Sequence, residues 1–281
     1  MFSIESAGLS VTGKIRKDNE DTLLVDDDIG LYVVADGMGG HRAGEVASQL
    51  VVESIRNHIK NFHEGRVTPS VPEMADQTLS PAANLVVTGI ALSNKVVYEA
   101  SKNNDDYKGM GSTVSILYVS DGTLVAANVG DSPIYLIHRG QIETLSVMHT
   151  LMAEHAAAHP AEAEQIGPEY QHVLTRAMGT ETTVKANICE IPYFIDDKLV
   201  ISSDGLTDLV SPEEILAAAT RHPPDIACQT LVDTANTRGG TDNITVIVLK
   251  VNKHRNSKGK IKNLFSRVSE GILTRMGAKK R

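Results

Sequence analysis

The sequence predicts an α+β fold built on antiparallel sheets, and three observations carry that prediction. Between Met110 and Leu145, short β-type runs are separated by Asp121-Gly122, Gly130-Asp131 and Arg139-Gly140, each a hairpin signal. Apolar residues recur at helical spacing on both sides of this block, before it at 44–60 and 83–102, after it at 211–221 and 224–237. Strict strand–helix alternation and internal repeats are both absent, which argues against a doubly wound parallel sheet.

Taken in order, residues 3–12 alternate weakly and read as a first strand. A charged turn, Gly13–Asp21, leads into the strand Thr22–Val25, and the apolar run Leu31–Ala35 reads as a central strand ending at Asp36. Ala47, Leu50, Val51 and Ile55 mark one face of a helix over 44–60. Three prolines and mixed polarity make 61–82 a loop, and Leu85, Leu92 and Val96 are expected on the stripe of the helix at 83–102. Strands are expected at 114–119, 123–129, 134–138, 141–145, 186–191, 198–202 and 244–251, with short surface helices over 146–172. Ser211-Pro212-Glu213-Glu214 opens the next helix as a capping box.

The 281 residues suffice for one large domain with an appendage, and 41% apolar content with a mean hydropathy of −0.12 is that of a globular chain. There is no Trp and there are four Phe, so the core must rest on aliphatic residues. Cys189 and Cys228 are isolated and read as reduced thiols, which with no signal-like N-terminus and no spanning run predicts a cytoplasmic protein. Charge is divided unevenly. From Lys250 onward eleven Lys and Arg face Glu270 alone, a net of +10, which leaves −18 on the body of a chain whose total is −8. An acidic body of this kind argues against a nucleic-acid-binding core.

Chemistry concentrates at three acidic turns. Asp36-Gly37 follows one apolar run, Asp204-Gly205 follows another at Leu199–Ser203, and Gly239-Gly240-Thr241-Asp242 precedes the last strand. Aspartates at strand ends, far apart in sequence, are positioned to form one carboxylate cluster, and hard oxygen donors suit Mg²⁺ or Mn²⁺. Singly, each is as well explained by a turn or a helix cap. No Gly-x-Ser-x-Gly elbow or Gly-x-x-x-x-Gly-Lys loop is present. His149, His155, His159 and His172 are too loosely spaced for a zinc site and read as surface histidines.

Seven segments in order carry a resemblance: Gly13–Asp21, Asp36–His41, Gly109–Thr113, Gly130-Asp131-Ser132, Leu174–Gly179, Ser203–Asp208 and Asp242–Thr245. Together they resemble the metal-dependent protein phosphatases, the PPM or type 2C Ser/Thr family in its bacterial form, over about residues 5–250. The resemblance implies a sandwich of two antiparallel sheets flanked by helices in four layers. It also implies a two-metal cleft in which Mn²⁺ or Mg²⁺ activates a water against phosphoserine and phosphothreonine.

Carried over residue by residue, Asp36 matches the bridging ligand, with the Gly37 carbonyl beside it, and Asp204 and Asp242 match the other direct carboxylates. Glu20 and Asp21 match acids that hold metal-bound waters. Arg16 matches the guanidinium that grips substrate phosphate, and Asp131 and Asp208, with Asp204, match a weaker third metal site. Three positions depart from the family. Met38 stands where eukaryotic members carry a histidine, so the leaving group takes its proton from water or from another group such as His41. Pro133 replaces the usual arginine, and Val147-Met148-His149-Thr150 lacks the usual aspartate.

The expectation is a catalytic domain over 1–252 that acts on phosphorylated proteins, opposes a bacterial Ser/Thr kinase and works as a monomer. The competing class is a catalytically weak module of the same fold that binds phosphoproteins. Beyond it, residues 253–281 place Ile261, Leu264, Phe265, Val268, Ile272, Leu273 and Met276 on one stripe among basic residues. Such a segment reads as docking to an anionic membrane at its inner face or to an acidic partner, against packing on the acidic body.

Overall fold

The computed structural model describes residues 2–39, 42–68, 76–120, 122–160, 167 and 170–253. Two antiparallel sheets lie face to face. In the first, β1 (Phe2–Val11), β11 (Ile244–Lys253), β10 (Lys198–Ser202), β7 (Ile134–His138) and β8 (Gln141–Thr144) are neighbours in that order. In the second the order is β2 (Asp21–Asp26), β3 (Leu31–Met38), β5 (Val114–Ser120), β6 (Thr123–Val129) and β9 (Asn187–Pro192), with the two-residue β4 (Gly111–Ser112) beside the end of β3.

The alternation of each central strand feeds two cores. On β3, Leu31, Val33 and Ala35 face α1 (Ala43–His63) and α2 (Pro81–Asn103), whereas Tyr32 and Val34 point into the space between the sheets. On β11, Val246 and Val248 face α5 (Pro212–Arg221) and α6 (Pro224–Thr237), and Ile247, Leu249 and Val251 join the inter-sheet core. A strand buried on both faces has no polar side, which is why these runs read as continuous aliphatics. The result is a helix–sheet–sheet–helix sandwich, with the short α3 (Leu151–Ala158) and α4 (Asp204–Thr207) at its margins.

Most expected elements occur within a few residues of their predicted ends, and the capping box at Ser211 and Glu214 is formed. Three details differ. The apolar stripe of α2 runs through Ala83, Val86, Ile90 and Val97, while Leu92 and Val96 are 40% and 41% exposed. α1 extends to His63, into the segment expected as loop. Asp36 does not end its strand: β3 continues to Met38, because Gly37 and Met38 pair with Ser112 and Gly111. Among the described residues no helix is long and apolar enough to cross a membrane. His41 and residues 254–281 lie outside the described residues.

Candidate metal centre

The antiparallel registers bring one end of both sheets to a single cleft of about 920 Å³. Asp21 sits directly opposite Asp36 on neighbouring strands. Asp131 follows β6, Asp204 follows β10 as the first residue of α4, and Asp242 stands just before β11. All but Asp21 line the cleft, as do Arg16, Glu20, Asp208 and His172.

Close backbone approach sets this geometry. The Asp36 amide donates to Thr113 Oγ1 at 3.0 Å, and the Asp36 carbonyl accepts from the Thr113 amide at 2.8 Å. With its main chain held, the Asp36 side chain has a fixed origin. A Cβ at Gly37 would run into the Gly44 carbonyl oxygen, and one at Gly205 into that of Asn243. Both Asp-Gly pairs therefore need glycine for steric reasons. Asn243 joins the two turns that flank the cleft. Its Oδ1 accepts from the Glu20 amide at 2.8 Å, and its Nδ2 donates to the Thr12 and Asp18 carbonyls, each at 3.0 Å.

The electrostatics are those of acids packed together. Asp21 is 8% exposed; its Oδ2 accepts from Ser203 Oγ at 2.8 Å and Thr245 Oγ1 at 2.6 Å, and its Oδ1 has no partner. Burial, outweighing those two hydrogen bonds, pushes its carboxyl up to about 6. Asp131 is 4% exposed and rises to about 7, through burial first and the nearby Asp204 second. Burial, then Asp21 and Asp204, drives Asp36 well above the usual carboxylate range, and Asp208 and Glu20 shift the same way, burial again leading. Asp204 Oδ1 is buried with no hydrogen-bond partner.

Buried acids that raise one another, with unpaired oxygens among them, lack positive charge. Arg16 supplies some, donating from Nη2 to Asp242 Oδ2 at 2.8 Å. His172 also faces the acids, with Nδ1 3.5 Å from Asp204 Oδ2 and Nε2 3.7 Å from Asp208 Oδ2. The oxygen-rich donor set and the orphaned Asp204 oxygen fit hard divalent cations.

His172 was expected at the surface; it is exposed, yet it faces this acidic cluster. The cause is tertiary: the β-bridge Thr150↔Leu174 folds its segment back across the cleft, which no local periodicity signals. His149 is not a surface residue either. Fully buried, it accepts at Nδ1 from the Gly130 amide at 3.1 Å and so donates from Nε2 to Asn187 Oδ1 at 2.8 Å. Burial lowers its pKa and keeps it neutral, holding the turn that carries Asp131.

The family model described as protein phosphatase 2C matches residues 11–239. The chain belongs to that family. It is 32% identical over 244 residues to a putative protein phosphatase 2C-type of Streptococcus pyogenes, covering 84% of this chain and 93% of the relative. Against the serine/threonine phosphatase stp of Listeria monocytogenes, identity is 31% over 245 residues, with 85% and 92% covered. The solved catalytic domain of the serine/threonine protein phosphatase PstP, in complex with two manganese ions, superposes with a TM-score of 0.74 at 28% identity, covering 90% of this chain and all of that one. The sandwich is thus that of the type 2C phosphatases, and the chain is a bacterial-type, metal-dependent serine/threonine protein phosphatase.

Proposed function

We propose that Asp36, the Gly37 carbonyl, Asp204 and Asp242 hold two divalent ions, Mn²⁺ or Mg²⁺, and that the chain hydrolyses phosphoserine and phosphothreonine of proteins modified by a Ser/Thr kinase. Bound there, the ions supply charge neutralisation for a phosphate dianion and lower the pKa of the attacking water. Glu20 at the rim of the cleft, and Asp21 buried behind Asp36, would hold water bound to the ions. Arg16 swings from Asp242 to the substrate and grips two phosphoryl oxygens in a fork. Met38 has no proton to give, so solvent protonates the leaving alkoxide. Asp131, Asp204 and Asp208 line a weaker third site. The catalytic unit is residues 1–252, a monomer, and the basic segment 253–281 brings it to an anionic membrane or an acidic partner.

One observation carries the reading: acids from separate strand ends converge on one cleft, where a buried Asp204 oxygen lacks any partner. Hydrolysis of p-nitrophenyl phosphate and of a phosphothreonine peptide, with and without Mn²⁺, tests it in wild type and Asp36→Asn. Turnover that needs Mn²⁺ and collapses in the variant is the expected result. Turnover indifferent to both sinks the mechanism, and no turnover at all leaves a phosphoprotein-binding module. For the tail, liposome binding unchanged by deletion of 253–281 would remove the membrane role.

A further inference from the structure

One nitrogen donor stands among the oxygens. Atoms of Asp131, His172 and Asp204 lie within 4.8 Å of one another. Donors each about 2.1 Å from one ion sit about 3 Å apart in cis and about 4.2 Å apart in trans, so a small inward movement brings all three into one coordination sphere. The imidazole is oriented by more than chance. Its Nδ1 faces Asp204 Oδ2 at 3.5 Å, and its opposite nitrogen, Nε2, faces Asp208 Oδ2 at 3.7 Å. A metal-bound imidazole usually gives its other N–H to a carboxylate, which fixes the tautomer and the ring plane.

The segment bearing His172 is also held. Leu174 bridges to Thr150, the Leu151 amide donates to the Val173 carbonyl at 2.8 Å, and the Thr175 amide to the His149 carbonyl at 2.9 Å. His172 is thus two residues from an anchored strand bridge, close enough to stay over Asp131.

We infer that Asp131, Asp204 and Nδ1 of His172 form a mixed oxygen–nitrogen cation site, in which Asp208 acts on the imidazole ring and not on the ion. The inference rests on the two-metal reading of the same cleft. An all-oxygen site accepts Mg²⁺, which dehydrates reluctantly, whereas an imidazole donor favours first-row transition dications. The ligand class of this position is therefore a transition dication. Its occupancy also ties the segment 170–174 to the cleft, because the ion bridges that segment to β6 and α4.

The test uses the full chain, untagged and stripped of metal, with Mn²⁺ as probe. Pulsed electron paramagnetic resonance reads ¹⁴N coupling to bound Mn²⁺, and equilibrium dialysis counts the ions. Wild type should show imidazole ¹⁴N coupling, and His172→Ala should abolish it while weakening one Mn²⁺ by at least about tenfold. Mg²⁺ binding should change far less. Asp208→Asn should keep the ¹⁴N coupling with weakened affinity. Bound Mn²⁺ without ¹⁴N coupling, coupling that survives in His172→Ala, or equal losses of Mn²⁺ and Mg²⁺ would overturn the inference and leave the two-metal reading standing. Absence of any Mn²⁺ binding would overturn both.

Discussion

The two ends of the sandwich each bring histidine to aspartate, and they do so in opposite states. At the end away from the cleft, Asp197 is 2% exposed and each of its oxygens has a partner. Its Oδ1 accepts from His138 Nδ1 at 2.7 Å and its Oδ2 from the Phe194 amide at 2.8 Å, which closes the turn before β10. At the cleft end His172 stands 3.5 Å and 3.7 Å from two carboxylates, beyond ordinary hydrogen-bond reach, and Asp204 Oδ1 is orphaned. A buried acid whose lone pairs are all taken is part of the structure. One left wanting suits the cation proposed at the cleft.

The largest effect that would break this contrast is at Asp36. Asp36→Asn should reduce Mn²⁺-dependent kcat by more than about 10³-fold, beyond the 10–100-fold common for groups one shell out. In EDTA the same variant should melt higher than wild type, because a neutral amide removes repulsion among buried acids. Steady-state kinetics and thermal melts check the two halves. A variant that lost both activity and metal-free stability would make Asp36 structural, like Asp197.

Arg16 sharpens the comparison from the other side, as an ion pair at the cleft that must open to work. Its side chain is half exposed, so the Asp242 contact adds little stability. Arg16→Ala should leave Tm nearly unchanged and lower kcat/KM by about 10–100-fold, mostly through KM, the value of a charged hydrogen bond to phosphate. Arg16→Lys should restore only part, since an ammonium cannot fork. Full recovery with lysine would reduce Arg16 to a point charge.

The two ends also differ in how far the sequence discloses them. Asp36, Asp204 and Asp242 were legible because each interrupts an aliphatic run with a glycine-bearing turn, and the order of the turns matched a family. The sheets were legible for a related reason: β3 and β11 are buried on both faces and carry unbroken aliphatic pattern. His172 was not legible, because the pairing of Val173, Leu174 and Thr175 with the segment 149–151 aims it, and no local pattern announces that pairing. Asn243 gave no local signal of its three hydrogen bonds, which close loops more than two hundred residues apart. Leu92 and Val96 misled because hydrophobic spacing names a face without saying whether another layer covers it.

A smaller effect is expected at the closed end. Asp197→Asn keeps the shape but weakens the His138 contact, and its amide group cannot satisfy both partners as the carboxylate does. The cost should be about 1–3 kcal/mol, the penalty of a buried group left short of a hydrogen bond. Chemical denaturation reads it, and Mn²⁺-dependent kcat should not move. A fall in kcat with stability intact would mean that this end communicates with the cleft.

The finest contrast is in pH. Asp131 and Asp21 titrate near about 7 and about 6 in the folded chain, against about 3.8 for a free aspartate. Between these limits the folded state holds protons that the unfolded state has released. Metal-free stability contributed by the two groups is therefore complete below about pH 4 and is lost as pH rises toward 7. The buried neutral His149 acts in the opposite direction over part of this range, since unfolding lets it take a proton. The difference between wild type and Asp131→Asn isolates the cleft. In EDTA wild type should lose Tm relative to that variant from pH 5 to 8, by about 2–4 °C for each kcal/mol in a domain of this size. Mn²⁺ should shrink or reverse the difference, because ions then stand where the protons stood. A wild-type slope that Asp131→Asn leaves unchanged would take the pH response away from the cleft and cancel the distinction between the two ends.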